Sequence, residues 1–179
     1  MFPTFSHKNF TDESSGSTYE FEDLNGHGTH VAGIIADATK STTIVPFNVK
    51  ILPLKVLDSN GDGYVSMIVN AISYVERLVS QKTLNVRLMN MSIGVKRSSS
   101  ANVTATSTSL TNQVVSAYNK GILSIVSAGN ERSDTYYCSP ANVECAVTIS
   151  ALYQSSDSSS VYFDSGYSNY GNEVDFAAP

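Results

Sequence analysis

Residues 65–93, VSMIVNAISYVERLVSQKTLNVRLMNMSI, set two structural periods one after the other. Apolar residues at Ile68, Val69, Ile72, Val75, Leu78 and Val79 recur at intervals of three and four, which predicts an amphipathic helix over Val65–Gln81. Val86–Ile93 then predicts a strand. Helix followed by strand is half of a crossover unit, and the alternation continues in both directions. Toward the N-terminus, Val49–Leu57 (VKILPLKVL) predicts a buried strand that Pro53 interrupts or bulges, followed by a turn over Asp58–Gly63 (DSNGDG). His27–Ala38, apolar and small all round, predicts a helix buried on most faces. Residues 1–26 show no helical period and predict loop, so 1–22 is read as an irregular N-terminal segment. Toward the C-terminus, a Ser/Thr-rich stretch over Ser98–Thr108 precedes a helix from Leu110 to Lys120, stopped by Gly121. Further strands are predicted over Ile122–Ala128 and Ala146–Leu152. Helices of ten or more residues between strands imply right-handed crossovers. The fold class is therefore α/β: three layers, a mostly parallel sheet with helices on both faces.

A chain of 179 residues with 41% hydrophobic residues suits one domain, here 1–179. Charged residues are only 15%, which excludes charge-driven disorder. Eleven Lys+Arg against sixteen Asp+Glu give a net charge of −5, and nothing basic is clustered, so a nucleic-acid partner is not expected. No apolar run approaches the ~18 residues that a membrane span needs, so no membrane association is expected. The N-terminal MFPTFSHKNF lacks the apolar core of a signal peptide, which argues against secretion of a chain starting there and says little if Met1 is internal. Cys138 and Cys145 lie seven apart; they read as two buried free thiols more readily than as a bridge closing one small loop.

In such sheets function sits beyond the carboxyl ends of the strands, where Gly94 ends one predicted strand and Gly129-Asn130 ends the next. The chemistry concentrates in Asp23–Gly33, DLNGHGTHVAG. Gly26 and Gly28 flank His27 and let the backbone turn sharply, which sets the histidine at the first turn of a helix. The positive end of the helix disfavours an imidazolium there and so favours a neutral base. HGTHVAG resembles the histidine motif of the subtilisin-like (S8) serine peptidases. Three more segments resemble that family in its own order: LPLKVLDSNGDGYVS (52–66), NMSIG (90–94) and SAGN (127–130). SPANVECAVTISA (139–151) and SNYGNEVDFAAP (168–179) resemble the strands that follow, so the likeness runs from about Asp23 to Pro179.

The resemblance implies a subtilisin-like fold, incomplete in this chain, and a serine endopeptidase acting on polypeptides. It implies His27 as general base and Asn130 as the side-chain donor of the oxyanion hole. It implies that Ser92, Ile93 and Gly94 pair with extended substrate, that Ser127, Ala128 and Gly129 wall the first specificity pocket, and that Leu57, Gly63 and Val65 shape a more distant one. By the same likeness the intact parent is secreted or extracellular and has room for a propeptide and a structural calcium. No cofactor or catalytic metal is required.

Other readings of these residues fare worse. His27-x-x-His30 lacks the i, i+4 spacing and a third ligand for zinc, and His30 reads as a structural hydrogen-bonder. Gly26-x-Gly28 with Gly33 has the wrong spacing for a dinucleotide site, and no strand precedes it. DSNGDG matches the first half of a calcium loop, but its twelfth position is Val69, so a plain turn is expected. The sequons at Asn9 and Asn102 are loop-compatible, whereas Asn90 falls in a buried strand.

Two parts of a triad are missing. In subtilisin the aspartate lies about 32 residues before the histidine and the serine about 157 after it. Counted from His27, both positions fall just outside the chain. No Gly-Thr-Ser-Met-Ala occurs; Ser66-Met67 lacks the Gly-Thr. Asp12 and Asp23 lie too close to His27 and lack the Ser/Thr-Gly of the family's aspartate. The chain is therefore expected to be an inactive fragment of a peptidase; the rival is a non-catalytic peptide-binding module of the same fold.

Overall fold

A computed structural model describes residues 7–13, 22–40, 49–96, 104–154, 160–164 and 166–179. The chain packs as two compact units, Met1–Ala71 and Ile72–Pro179.

The first unit holds a two-stranded parallel pair, β1 (Lys8–Asn9) with β2 (Leu54–Lys55), and helix α1 (His27–Lys40). The segment 1–22, expected to be irregular, therefore contributes a strand. The expected strand 49–57 is reduced to Leu54–Lys55, starting directly after Pro53, whose missing N–H cannot join a ladder. Phe10 extends the pairing by donating its N–H to Lys55 O at 2.8 Å. Asn9 is buried and its Oδ1 accepts from both the N–H and the hydroxyl of Thr11, so this sequon is a closed structural turn rather than an open loop. Asn102 lies outside the described residues.

Helix α1 departs from expectation in its environment. None of its described side chains is buried, and Ile34 is 59% exposed. Apolar composition states that a helix needs cover; it does not supply the cover. Across the described residues of this unit only Asn9, Thr11, Ile68 and Ala71 are buried.

Helix α2 (Val65–Ser80) matches the predicted helix; of the stripe the sequence drew, Ile68, Ile72, Val75 and Leu78 are buried while Val69 and Val79 are half-buried, and Ala71 joins the buried face. The second unit continues with β3 (Leu88–Met91), β4 (Val95–Lys96), α3 (Thr104–Asn119), β5 (Leu123–Ser127), a 3-10 turn (Thr135–Tyr137), β6 (Cys138–Ser139), β7 (Val147–Gln154), β8 (Val161–Phe163) and β9 (Phe176–Ala178). Strands β3, β5, β7 and β9 are parallel, and β8 runs antiparallel to β7. The register aligns Met91 with Val126 and Ser127 with Ile149. The mostly parallel α/β sheet is the predicted class. Helix α3 begins six residues earlier than predicted and buries Leu110, Val114 and Ala117 at helical spacing. It ends where Gly121 takes φ +79°, a left-handed conformation a side chain resists. Ile122, Val126, Ala128, Val143 and Ala146 are buried as well. An ion pair joins α2 to the end of α3, from the exposed Lys120 Nζ to the buried Glu76 Oε2 at 2.6 Å. Cys138 and Cys145 are not bridged, as the sequence favoured, with Cys138 buried and Cys145 only partly so.

The exposed apolar face of α1 has a measurable consequence. At about 25 cal/mol per Å², a few hundred Å² of uncovered apolar surface costs several kcal/mol against a typical total of about 5–15. The 179-residue chain in isolation is expected to bind a hydrophobic dye and to melt without a sharp transition. A cooperative two-state melt from a monomer without dye binding would overturn this.

Candidate active site

His27 is the first residue of α1 and is exposed. The turn before it is held by Asp23. Its Oδ1 accepts from the Gly26 N–H at 2.8 Å, and its Oδ2 accepts from the Thr29 N–H (2.8 Å) and the Thr29 hydroxyl (2.7 Å). Gly26 takes φ +90° and its carbonyl accepts the first helical bond, from His30 N. Asp23 was not assigned a catalytic role from the sequence, and here it caps a helix: a carboxylate at the positive end, satisfying amides that have no partner within the helix. The Thr29 hydroxyl foremost, with the Gly26 and Thr29 amides, lowers its pKa to about 2. His30 lies exposed one turn along.

The loop expected to shape the distant pocket closes on itself. Asp58 Oδ1 accepts from the N–H groups of Asn60 (2.8 Å) and Asp62 (2.9 Å), and Gly61 takes φ +85°. DSNGDG forms a turn whose first carboxylate is engaged by the loop's own amides. Glu13 accepts from Ser59 N and pairs with Lys55, and Asn25 donates to Ser59 O, tying this loop to the segment before His27. Gly63 lies on the backbone of Val56, and a Cβ there would come within 3.0 Å of Leu57 Cδ2. Leu57 and Gly63 are therefore neighbours, and Val65 follows as the first residue of α2. Gly63 also lines a cleft of about 420 Å³ with Tyr64, Asp12, Glu13, Asp58 and Asp62.

In the second unit the parallel register brings two predicted groups together. Ser92–Gly94 leave the end of β3 beside the end of β5, where Ser127, Ala128 and Gly129 lead to Asn130. Val95 and Lys96 then pair antiparallel with Ser139 and Cys138, so the chain after Gly94 is anchored. Ala128 is buried, its N–H donating to Ile149 O, while Asn130 is exposed. Gly129 takes φ +105°. The Asn130 N–H donates to Glu131 Oε2 at 3.0 Å.

Sequence reading missed Asn169 and Glu131. Asn169 is fully buried and its amide contacts Ala128, Glu131, Ser133 and Cys138. It stands within the quoted SNYG, but nothing local marks a polar residue as buried. Asp23 had a visible signal, an acidic residue just before a helix start.

These features define an α/β protein of subtilisin-like architecture, with the loops 92–94 and 128–130 at the carboxyl ends of parallel strands. The sequence model of the Subtilase family matches residues 3–179. The chain is 35% identical over 158 residues to an extracellular serine proteinase of Thermus sp. (strain Rt41A), covering 88% of this chain and 33% of that protein. It is 36% identical over 166 residues to subtilisin-like protease 3 of Saccharomyces cerevisiae, covering 89% and 31%. Among solved structures, a cold-adapted subtilisin-like serine proteinase superposes with a TM-score of 0.70 at 30% identity, over 96% of this chain and 54% of the other. A lanthipeptide protease at 24% identity superposes with a TM-score of 0.68, a likeness of fold. The chain belongs to the subtilase family of serine proteinases. It spans about a third of the length of the curated relatives it matches.

The Asp23 cap gives a pH-dependent expectation. Because its folded pKa lies below the ordinary 3.8, its contribution is full above about pH 4 and is lost as pH falls through about 2. Protection of the Thr29 amide relative to its intrinsic exchange rate is expected to fall across that window. Asp23→Ala is expected to cost about 1 kcal/mol at neutral pH, and Asp23→Asn to flatten the acid limb. An unchanged acid limb in Asp23→Asn would refute the assignment.

Proposed function

We propose that this chain is the histidine-bearing portion of a subtilisin-like serine endopeptidase, whose catalytic aspartate and serine lie in the rest of a longer parent. In that parent His27 takes the proton of the attacking serine hydroxyl and returns it to the leaving amine, with the aspartate orienting the imidazole. Asn130 donates to the oxyanion as charge develops on it, an interaction worth about 10² to 10³ in rate in subtilisin. Ser92–Gly94 add substrate as an extra strand, Ser127–Gly129 wall the first pocket, and Leu57, Gly63 and Val65 shape a further one. The substrate class is polypeptide. The reaction requires no cofactor, since acid–base groups and oriented dipoles carry it. The Thermus relative is extracellular by name, and an extracellular site of action is the corresponding proposal here. A propeptide and a structural calcium in the parent belong to the same reading.

The observation that supports this most is the pairing of β3 with β5, which sets Ser92–Gly94 beside Ser127–Asn130 at one end of a parallel sheet. Without serine there is no acyl-enzyme, and subtilisin loses about 2 × 10⁶ in turnover when that residue alone is removed. The 179-residue chain alone is therefore expected to leave a fluorogenic peptide uncleaved. The parent, carrying the family's Gly-Thr-Ser-Met, is expected to cleave it, to be blocked by a serine-directed phosphonate, and to lose activity in His27→Ala. A parent without that serine that still binds peptide would instead be the non-catalytic module.

A further inference from the structure

The turn that carries Asn130 is not self-supporting. Gly129 has a backbone conformation closed to other residues, and Asn130 and Glu131 are exposed. Backbone bonds tie the turn's two ends to neighbouring segments, Ala128 N–H to Ile149 O, Arg132 N–H to Tyr167 O and Tyr170 N–H to Ser133 O, and one side chain distant in sequence reaches its middle. Asn169, 0% exposed, donates through Nδ2 to Ala128 O (2.9 Å) and to Glu131 Oε2 (2.6 Å). Its Oδ1 accepts from the Glu131 N–H (2.9 Å) and the Ser133 N–H (2.9 Å), and its own N–H donates to Gly129 O at 3.0 Å. The side-chain amide is thereby engaged at both its nitrogen and its oxygen by one six-residue turn, with Cys138 Sγ, outside that turn, also 3.2 Å from Nδ2.

The arrangement is specific to an amide. A carboxylate has no donor for Ala128 O, and a smaller residue leaves buried backbone groups unsatisfied. The close approach also explains Gly129, since a Cβ there would overlap the Asn169 amide nitrogen and come within 2.6 Å of Glu131 Oε2. Glu131 completes the link. The same Oε2 that accepts from Asn169 accepts from the Asn130 N–H, so the backbone of Asn130 is tied through one carboxylate to the buried amide.

We propose that Asn169 is a positioning residue for the reaction. Through Glu131 and the 128–133 backbone it fixes the direction in which Asn130 presents its side-chain amide to the developing oxyanion. The inference rests on the reading of Asn130 given above. A donor that must meet charge at hydrogen-bond distance loses its effect when its turn can rock, and the loss falls on the transition state rather than on substrate binding.

The test is a double-mutant cycle in the full-length protease that carries this chain. Asn169→Ala is expected to lower kcat about 10- to 100-fold, part of the 10² to 10³ that the oxyanion donor is worth, with KM within about threefold. In an Asn130→Gly background the same substitution is expected to change kcat less than about twofold, because the donor it positions is gone. An equal loss in both backgrounds would show general damage to the fold and overturn the proposal. A loss from Asn130→Gly with none from Asn169→Ala would overturn the positioning role alone. No loss from Asn130→Gly would overturn the oxyanion reading and the positioning role together. If Asn169→Ala does not fold, Asn169→Asp, which sets two carboxylates face to face, is compared with Asn169→Asp/Glu131→Gln, which restores a donor between them. The pair is expected to recover at least tenfold in kcat; no recovery would overturn the proposal.

Discussion

Parallel pairing of β3 with β5 is the constraint from which the second unit follows. Parallel neighbours cannot be joined by a tight turn, so the chain must return across the sheet, and α3 lies in that connection. Both strands then finish at the same end of the sheet. Whatever follows Met91 and Ser127 is brought side by side, although more than thirty residues separate the two strand ends in sequence. Strand residues Val126 and Ser124 are buried, and the backbone ladder fixes the register to a single residue, so the two loops inherit a fixed spacing.

Beyond the ladder, backbone groups lose their strand partners and something else must satisfy them. In each of two turns one side chain takes several of these bonds. Asp23 serves the amides at the start of α1 with a carboxylate, which suits three donors at the positive end of a helix. Asn169 serves a turn that presents both donors and an acceptor, which only an amide can match. The difference in side chain follows from the difference in what each turn leaves unpaired.

The two units contrast in how their apolar residues are used. In the second unit Ile72, Val75, Leu110, Val114, Ile122 and Val126 are buried, and the period of each helix matches the stripe it covers. In the first unit α1 is as apolar as its neighbours and remains uncovered, with Leu24 67% exposed just before it. The chain covers only about a third of its curated relatives' length, and the subtilase family model matches it over residues 3–179.

The sequence by itself determined which segments are helices and strands wherever a period was long. The stripe of α2 and the stop at Gly121 could be read residue by residue, because helix period and glycine's tolerance of positive φ are local properties. It also determined the motifs around His27 and Asn130, since the glycines beside them leave a pattern in the chain. The short pairing of Lys8–Asn9 with Leu54–Lys55 was not legible, because a two-residue strand has no period. The uncovered state of α1 was not legible either, because apolar composition reports a helix's need for neighbours and not their presence. Only the tertiary structure decided that Asn169 serves the turn of Asn130. That bond network joins residues about forty apart, and burial of a polar side chain depends on what folds over it rather than on its neighbours in sequence.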